Sequence, residues 1–493
     1  MGRATGSTAR YLGFLFPMAF LLYVNHAWLP VGATTQELLR GFTATPDPTA
    51  SSFQPLLHNP NGTFSLGFLR NGSSQLALAI VHVPSSEPVW LANPTRWARW
   101  SKPTELFFNG SLVLSDPHTG VLWSTRTDGD RLLILDNGNL QIQKLDGSGS
   151  VLWQSFDSPS DTLLENQNFT VQMYLVSSNG LYSMRLGDDF IGLYAEFKAG
   201  LDQVYWRHRA MEERGHIVDG NGSIYARISP NGFLGMYQTE TAPIDVQAFK
   251  TFQRPISGIR RVRLESDGNL RGYYWYDSKW VSDFEAIDEE CELPNACGSY
   301  GLCLPGGGCR CLDNRREYSS GGCFPQESGD FCNVRGENDA INYWVLRRAG
   351  VELPFKELMG FEQMGSLEEC ESSCKSNCSC WGTVFHNVSG FCYAVDYPIS
   401  TLVSFGDGSK IGYFKVRKIK EEKKRGVGVA GGVALLVGAV LIFVGVAGFG
   451  TYRMWRRKKT GHGIFMEEQG LSHDSYRELL RSSSFGAVEL CKR

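Results

Sequence analysis

Cysteine is absent from Thr34 to Glu290, although the chain of 493 residues contains 13 in all. A stretch of that length can bury its own core and needs no covalent staple. Catalytic signatures are missing as well: there is no H-E-x-x-H, no G-x-S-x-G, no H-R-D and no D-F-G. The nine histidines are scattered. With no grouping that supplies an acid, a base or a nucleophile, neither an enzyme activity nor a cofactor is expected. A formal net charge of -3 and a pI near 6.3 leave no basic footprint for nucleic acid.

Charge is also missing from Gly426 to Tyr452, 27 residues in a row, with 41 residues following from Arg453 to Arg493. A segment this long and apolar can span a bilayer, so the chain divides into a large part on one side and a short tail on the other. At the N-terminus, Arg3 and Arg10 precede an apolar run from Tyr11 to Val24, and Val31, Gly32 and Ala33 suit cleavage before Thr34. That anatomy reads as a secretory signal peptide over 1–33 and puts 34–425 in the lumen or outside the cell. Basic residues flank the span on both sides, so positive-inside counting does not choose an orientation. Seven N-x-[ST] sequons, at Asn61, Asn71, Asn109, Asn168, Asn221, Asn377 and Asn387, all precede the span and agree with the signal peptide.

Twelve cysteines fall between Cys291 and Cys392, and Cys491 stands alone in the tail. An even dozen in an oxidising compartment is a disulfide framework, and secretion favours bridging over zinc binding at the C-x-C pairs. The first six are Cys291, Cys297, Cys303, Cys309, Cys311 and Cys323, set among glycine and proline in NACGSYGLCLPGGGCRC. They look like an EGF-like module. The second six are Cys332, Cys370, Cys374, Cys378, Cys380 and Cys392. Three- and four-residue spacing in LEECESSCKSNCSC predicts a helix with Cys370, Cys374 and Cys378 on one face toward a sheet. Spacing alone leaves each set its 15 connectivities.

In the cysteine-free part the signal is repeated strand and turn. Trp90, Trp123 and Trp153 recur in PVWLANP, GVLWSTR and SVLWQSF, and between them lie alternating runs opened by Asn-Gly steps: NGSLVLSD from Asn109 and DNGNLQIQ from Asp136. Such steps favour tight turns, and period-two alternation sends one apolar row per strand to a core. A repeat near 30 residues predicts a three-fold β body with the tryptophans at its shared centre. The same grammar returns in SNGLYSMRL, GNGSIYARI, PNGFLGMY and SDGNLRGYYWY, so two successive β domains are expected, 34–160 and 161–285.

FSLGF from Phe64, VWLANP from Val89, LDNGNL from Leu135 and WQSFDSPSDTLL from Trp153 resemble the bulb-type lectin domain of plant S-locus glycoproteins and G-type lectin receptor-like kinases. LESDGNLRGYYWYDSKW followed by CELPNACGSYGLC resembles that family's second domain and EGF-like segment, and CESSCKSNCSC with GYFKV its PAN/apple domain. The resemblance implies a mainly β chain of tandem bulb-lectin-like β-prism domains, an EGF-like segment (286–326), a PAN/apple α+β domain (327–417), one transmembrane helix (427–452) and a cytoplasmic tail (453–493). It also implies a plant plasma-membrane protein with a single pass and its N-terminal part outside. Members with carbohydrate activity carry Q-x-D-x-N-x-V-x-Y. Only Asp136 and Asn139 remain near that pattern, which marks a degenerate sugar site, and both suit a turn. Asp288, Glu289 and Glu290 before Cys291 read as a solvated acidic linker rather than a calcium site, because the family's calcium position holds Ile287.

Kinase-bearing relatives place the kinase after the span, where this chain has SYRELLRSSSFGAVELCKR. Within the span, Gly431, Gly438 and Gly445 repeat every seven residues and Gly428/Gly432 form a G-x-x-x-G pair, a pattern that lets helices approach closely. The expected function is that of a receptor-like glycoprotein binding an extracellular protein or peptide ligand, as co-receptor or regulator. It would self-associate or pair with a kinase-bearing receptor. Carbohydrate or cell-wall adhesion, with a glycan ligand, and a non-signalling remnant of a receptor kinase are the alternatives.

Overall fold

The computed structural model describes residues 36–92, 94, 96–147, 149–198, 201–210, 222–240, 242–319, 321–324, 331–332, 343–418 and 427–459. The expected signal peptide, the sequon at Asn221 and the tail after Lys459 lie outside these residues. The chain forms two units, Met1–Lys418 and Ile419–Arg493.

Three antiparallel sheets make the first β body, two of four strands and one of five, in which the short strand Ala98–Arg99 pairs with Gln75–His82. One is continuous in sequence, Phe53–His58, Phe64–Asn71, Gln75–His82 and Glu87–Leu91. The other two are each completed from far upstream. Glu37–Leu39 pairs with Arg131–Ile134, beside Leu140–Gln143 and Val151–Gln154, and Phe42–Ala44 pairs with Glu105–Phe108, beside Leu112–Asp116 and Gly120–Ser124. Alternation puts Leu132, Ile134, Leu140 and Ile142 into the core, each almost fully buried. Trp90, Trp123 and Trp153 sit on an outer strand of each sheet and meet edge to face, with ring centroids 5.9, 5.9 and 5.8 Å apart. Each such pair adds about 0.5–1.5 kcal/mol beyond the area it buries.

The second body repeats this closure. Thr162–Leu164 completes the sheet of Arg260–Leu264, Leu270–Tyr276 and Lys279–Glu285. Asn168–Thr170 completes that of Tyr225–Ser229, Phe233–Tyr237 and Pro243–Ala248, and the third sheet runs in sequence from Tyr174–Val176 to Leu201–Arg209. The strand that opens the second body also serves the first: Leu164 packs in the first core while Leu163 packs in the second. Corresponding turns carry a glycine in the left-handed region. Gly138 (φ +86) lies so close to Leu164 and Phe64 that a Cβ would fall 2.7 Å from Leu164 Cδ1, and Gly268 (φ +89) lies against Pro294 and Tyr205.

Residues from 290 onward form two further sheets. Gly301–Leu304 pairs with Gly308–Cys311 and, in parallel, with Leu402–Ser404, so strands 100 residues apart share one sheet. A five-stranded sheet of Tyr343–Ala349, Lys410–Arg417, Gly382–His386, Phe391–Val395 and Glu362–Gln363 carries helix α1, Leu367–Ser376. Ser366 caps α1 by accepting from Glu369 N–H, and the Glu369 carboxylate accepts from Gly365 N–H at 2.8 Å. Lys415 Nζ closes the other end, donating to Cys374 O and Asn377 O at 2.8 and 2.9 Å.

Six disulfides join the two cysteine sets internally: 291–303, 297–309 and 311–323, then 332–378, 370–392 and 374–380. The expected single face of three cysteines is corrected here. Cys370 and Cys374 are buried under α1, but the helix ends at Ser376, and Cys378 lies on the exposed turn beyond it, bridged to Cys332.

Helix α2, Val427–Lys459, contains an apolar window from Gly438 to Arg456, long enough to cross a membrane. Gly428, Gly431 and Gly432 lie on its first turns, and a Cβ at Gly438 or Gly445 would meet nothing within 4 Å.

Two outcomes follow. Replacing Trp90 with Ala removes two of the three ring contacts and the indole donation to Ser158 O at 2.8 Å, and should cost the first body about 3–5 kcal/mol in urea unfolding. Reduction with dithiothreitol should raise protease sensitivity after residue 290 while Trp90, Trp123 and Trp153 keep their native fluorescence, because their body holds no cysteine.

Candidate binding surfaces

The degenerate sugar position lies on the sheet closed by Glu37–Leu39. Strand phase settles which side chains share a face. Leu140 and Ile142 point into the core, so Asn139, Gln141 and Gln143 take the opposite face, where they too are buried, and Asp136 belongs to the turn. These amides form one directed chain. Arg131 donates to Gln143 Oε1 (3.0 and 2.8 Å), Gln143 Nε2 to Gln141 Oε1 (2.7 Å), and Gln141 Nε2 to Gln154 Oε1 (3.2 Å). Asn139 Nδ2 donates to the same Gln154 oxygen at 2.8 Å.

Asn139 Oδ1 accepts from Phe156 N–H at 3.3 Å, and its counterpart in the second body, Asn269, clamps Ile287 through N–H and C=O at 3.1 and 2.8 Å. The asparagine that ends the D-N-G-N turn of the first body and the S-D-G-N turn of the second therefore anchors the chain leaving its sheet. Exposed Asp136 accepts from Asn59 Nδ2 at 2.8 Å on a neighbouring sheet. Asp136 and Asn139 thus hydrogen-bond to different partners, Asn59 for the first and Gln154 with Phe156 for the second. The amide row around Gln141, Gln143 and Gln154 was not singled out from sequence; the alternation in NLQIQ was the available signal.

A charged and aromatic joint fixes the second body against the first. Arg261 donates to Glu87 at 2.6 Å and stacks 3.9 Å from the centre of Trp280, while Arg263 reaches the same Glu87 at 3.6 Å. His82, almost fully buried, packs against Trp275 and Trp280 at 4.8 and 5.0 Å. Burial, then the charge of Arg261, pulls the imidazole pKa down to about 4, partly offset by Glu87.

Beyond this joint, the second body and the disulfide-stapled part share one apolar core. Phe197 stacks flat on Tyr397 at 4.5 Å. Beside them opens a cavity of about 350 Å³, walled by Leu181, Phe197, Pro294, Pro398 and Ile399 among others, with Glu196, Asn295, Ser299 and Ser400 as its polar groups. Three chain segments more than 90 residues apart build it, and no sequence motif marks it. Six of the sequon asparagines, Asn61, Asn71, Asn109, Asn168, Asn377 and Asn387, are exposed.

Residues 88–185 match the family profile described as D-mannose binding lectin, and residues 236–316 match that of the S-locus glycoprotein domain. A PAN domain-containing protein of Arabidopsis thaliana is 49% identical over 494 residues, covering 100% of each chain. The chain belongs to the PAN domain-containing, G-type lectin S-receptor-like family. A G-type lectin S-receptor-like serine/threonine-protein kinase of the same plant is 26% identical over 480 residues, taking in 88% of this chain. This chain spans 55% of that kinase's length. Among solved structures, Scilla campanulata agglutinin, described as a fetuin-binding two-domain lectin, is 15% identical, with a TM-score of 0.19 over 45% of this chain and 91% of its own. Neither profile coincides with one β body: the lectin profile starts inside the first and ends inside the second.

Asn139→Ala should lower stability by about 1–3 kcal/mol in urea, since it orphans buried partners. Acid should act through His82. Its folded pKa lies below the ordinary 6.5, so the unfolded chain binds more protons between that value and about 4. The stability it contributes is complete above that window and is lost as pH falls through it; His82→Phe should flatten the urea midpoint across pH 6.5 to 4.

Proposed function

We propose that this chain is a single-pass plasma-membrane glycoprotein whose residues 34–425 face outside and bind a protein or peptide ligand, and which acts as co-receptor or regulator of a kinase-bearing receptor without phosphotransfer of its own. The observation that carries this reading is the contrast between its two candidate surfaces. On the lectin-like sheet, Arg131, Gln143, Gln141, Gln154 and Asn139 are tied into one hydrogen-bonded chain, and a sugar selects its site by polar groups left free to converge on hydroxyls. Near the junction of the second body with the stapled part, an apolar cavity stays open. Kinship with receptor-like kinases and a helix able to cross a membrane support the receptor-like side of the proposal.

Proximity labelling from the tail in plant cells, run beside a glycan array with the detergent-solubilised full chain, tests it. Reproducible recovery of a receptor kinase with an empty array is the expected result. Specific glycan binding with no kinase recovered would overturn it in favour of wall adhesion.

A further inference from the structure

The cavity between the second body and the stapled part has a lopsided charge around it. Its walls are apolar: Leu181, Phe197, Pro294, Pro398 and Ile399. The one carboxylate in its lining, Glu196, is already held by Arg185 at 2.5 Å. Just outside, the picture changes. Glu292, two residues before the wall residue Pro294, is exposed, and the charges acting on it are Glu289, Glu357 and Asp288. After burial, the charges of these carboxylates raise its pKa above the ordinary carboxylate value. Lys356, beside Glu357 in the chain, pairs with Glu352 at 2.5 Å and also interacts with the charge of Glu357, so it offsets part of the cluster.

An apolar recess beside crowded carboxylates is complementary to one kind of occupant. We propose that this cleft receives a basic, apolar peptide segment of an extracellular partner, with a leucine or aromatic side chain in the recess and lysine or arginine against Glu289, Glu292 and Glu357. The assignment rests on the peptide-binding reading given above and names its site and ligand chemistry. A recess of about 350 Å³ holds a few side chains and not a folded domain, so a short segment suffices. Positive charge on the segment would relieve the repulsion among the carboxylates and hasten encounter.

The experiment pans a phage-displayed random heptapeptide library on the detergent-solubilised full chain. The enriched peptide, synthesised with a fluorescent label, is then titrated against wild type, Ser400→Trp, which fills the recess, and the double variant Glu292→Lys/Glu357→Lys, which reverses the rim. All three substituted side chains are at least partly exposed, and thermal melting checks that each variant folds. The expected peptides combine Leu, Phe or Trp with Lys or Arg, and each variant weakens their binding by about tenfold or more. Enrichment of acidic or wholly polar peptides overturns the proposal. Binding that neither variant changes overturns this cleft while leaving peptide binding in place, and a library that yields no enriched peptide overturns the peptide-binding reading together with it.

Discussion

Every sheet in both β bodies has edges that must be paired or covered, and the way the chain does this governs the rest of the structure. Two of the three sheets in each body are three-stranded as synthesised. Each is completed by a short strand from the start of that body, Glu37–Leu39 and Phe42–Ala44 in the first, Thr162–Leu164 and Asn168–Thr170 in the second. Until those strands dock, the sheets expose backbone donors and acceptors. Their docking draws the three sheets together, and only then can Trp90, Trp123 and Trp153, carried on separate sheets, meet.

The same device couples the bodies. Because Thr162–Leu164 closes the second body while Leu164 packs into the first core, neither body is complete at its boundary without the other. Arg261, Glu87, His82 and the two tryptophans cover the remaining contact, at the cost of burying a guanidinium that is balanced by one carboxylate and an aromatic face. Further on, the parallel pairing of Leu302 with Leu402 ties the first cysteine set to the second. The extracellular part proposed here is thus a continuous chain of shared strands and shared cores, and the cleft near Phe197 is a product of that continuity.

Much of this was legible in one dimension. Asn-Gly and Asp-Gly steps, period-two alternation and tryptophans at a spacing near 30 residues point to a three-fold β body, because turns and strands are written by residues close in sequence. Cysteine counting marks where staples replace a core. The degenerate sugar position was harder to read. From sequence, Asp136 and Asn139 stand out as a pair, whereas the strand's phase makes Asn139 a neighbour of Gln141 and Gln143 and sends Asp136 to Asn59. Likewise, helical spacing suggested that Cys378 continues the row of Cys370 and Cys374, but α1 stops at Ser376, where Lys415 from a distant strand takes up the carbonyls of Cys374 and Asn377.

By itself the sequence determined the class of the protein: β-rich bodies without cysteine, a stapled part of twelve cysteines, and one uncharged stretch able to span a bilayer. These are properties of composition and short-range periodicity, and no long-range pairing can change them. Tertiary structure alone decided which cysteines bridge, which asparagine is a clamp, and where a recess opens among Phe197, Pro294 and Ile399. Those outcomes depend on strands more than 90 residues apart finding one register, and the free energy that selects a register is spread over a whole sheet.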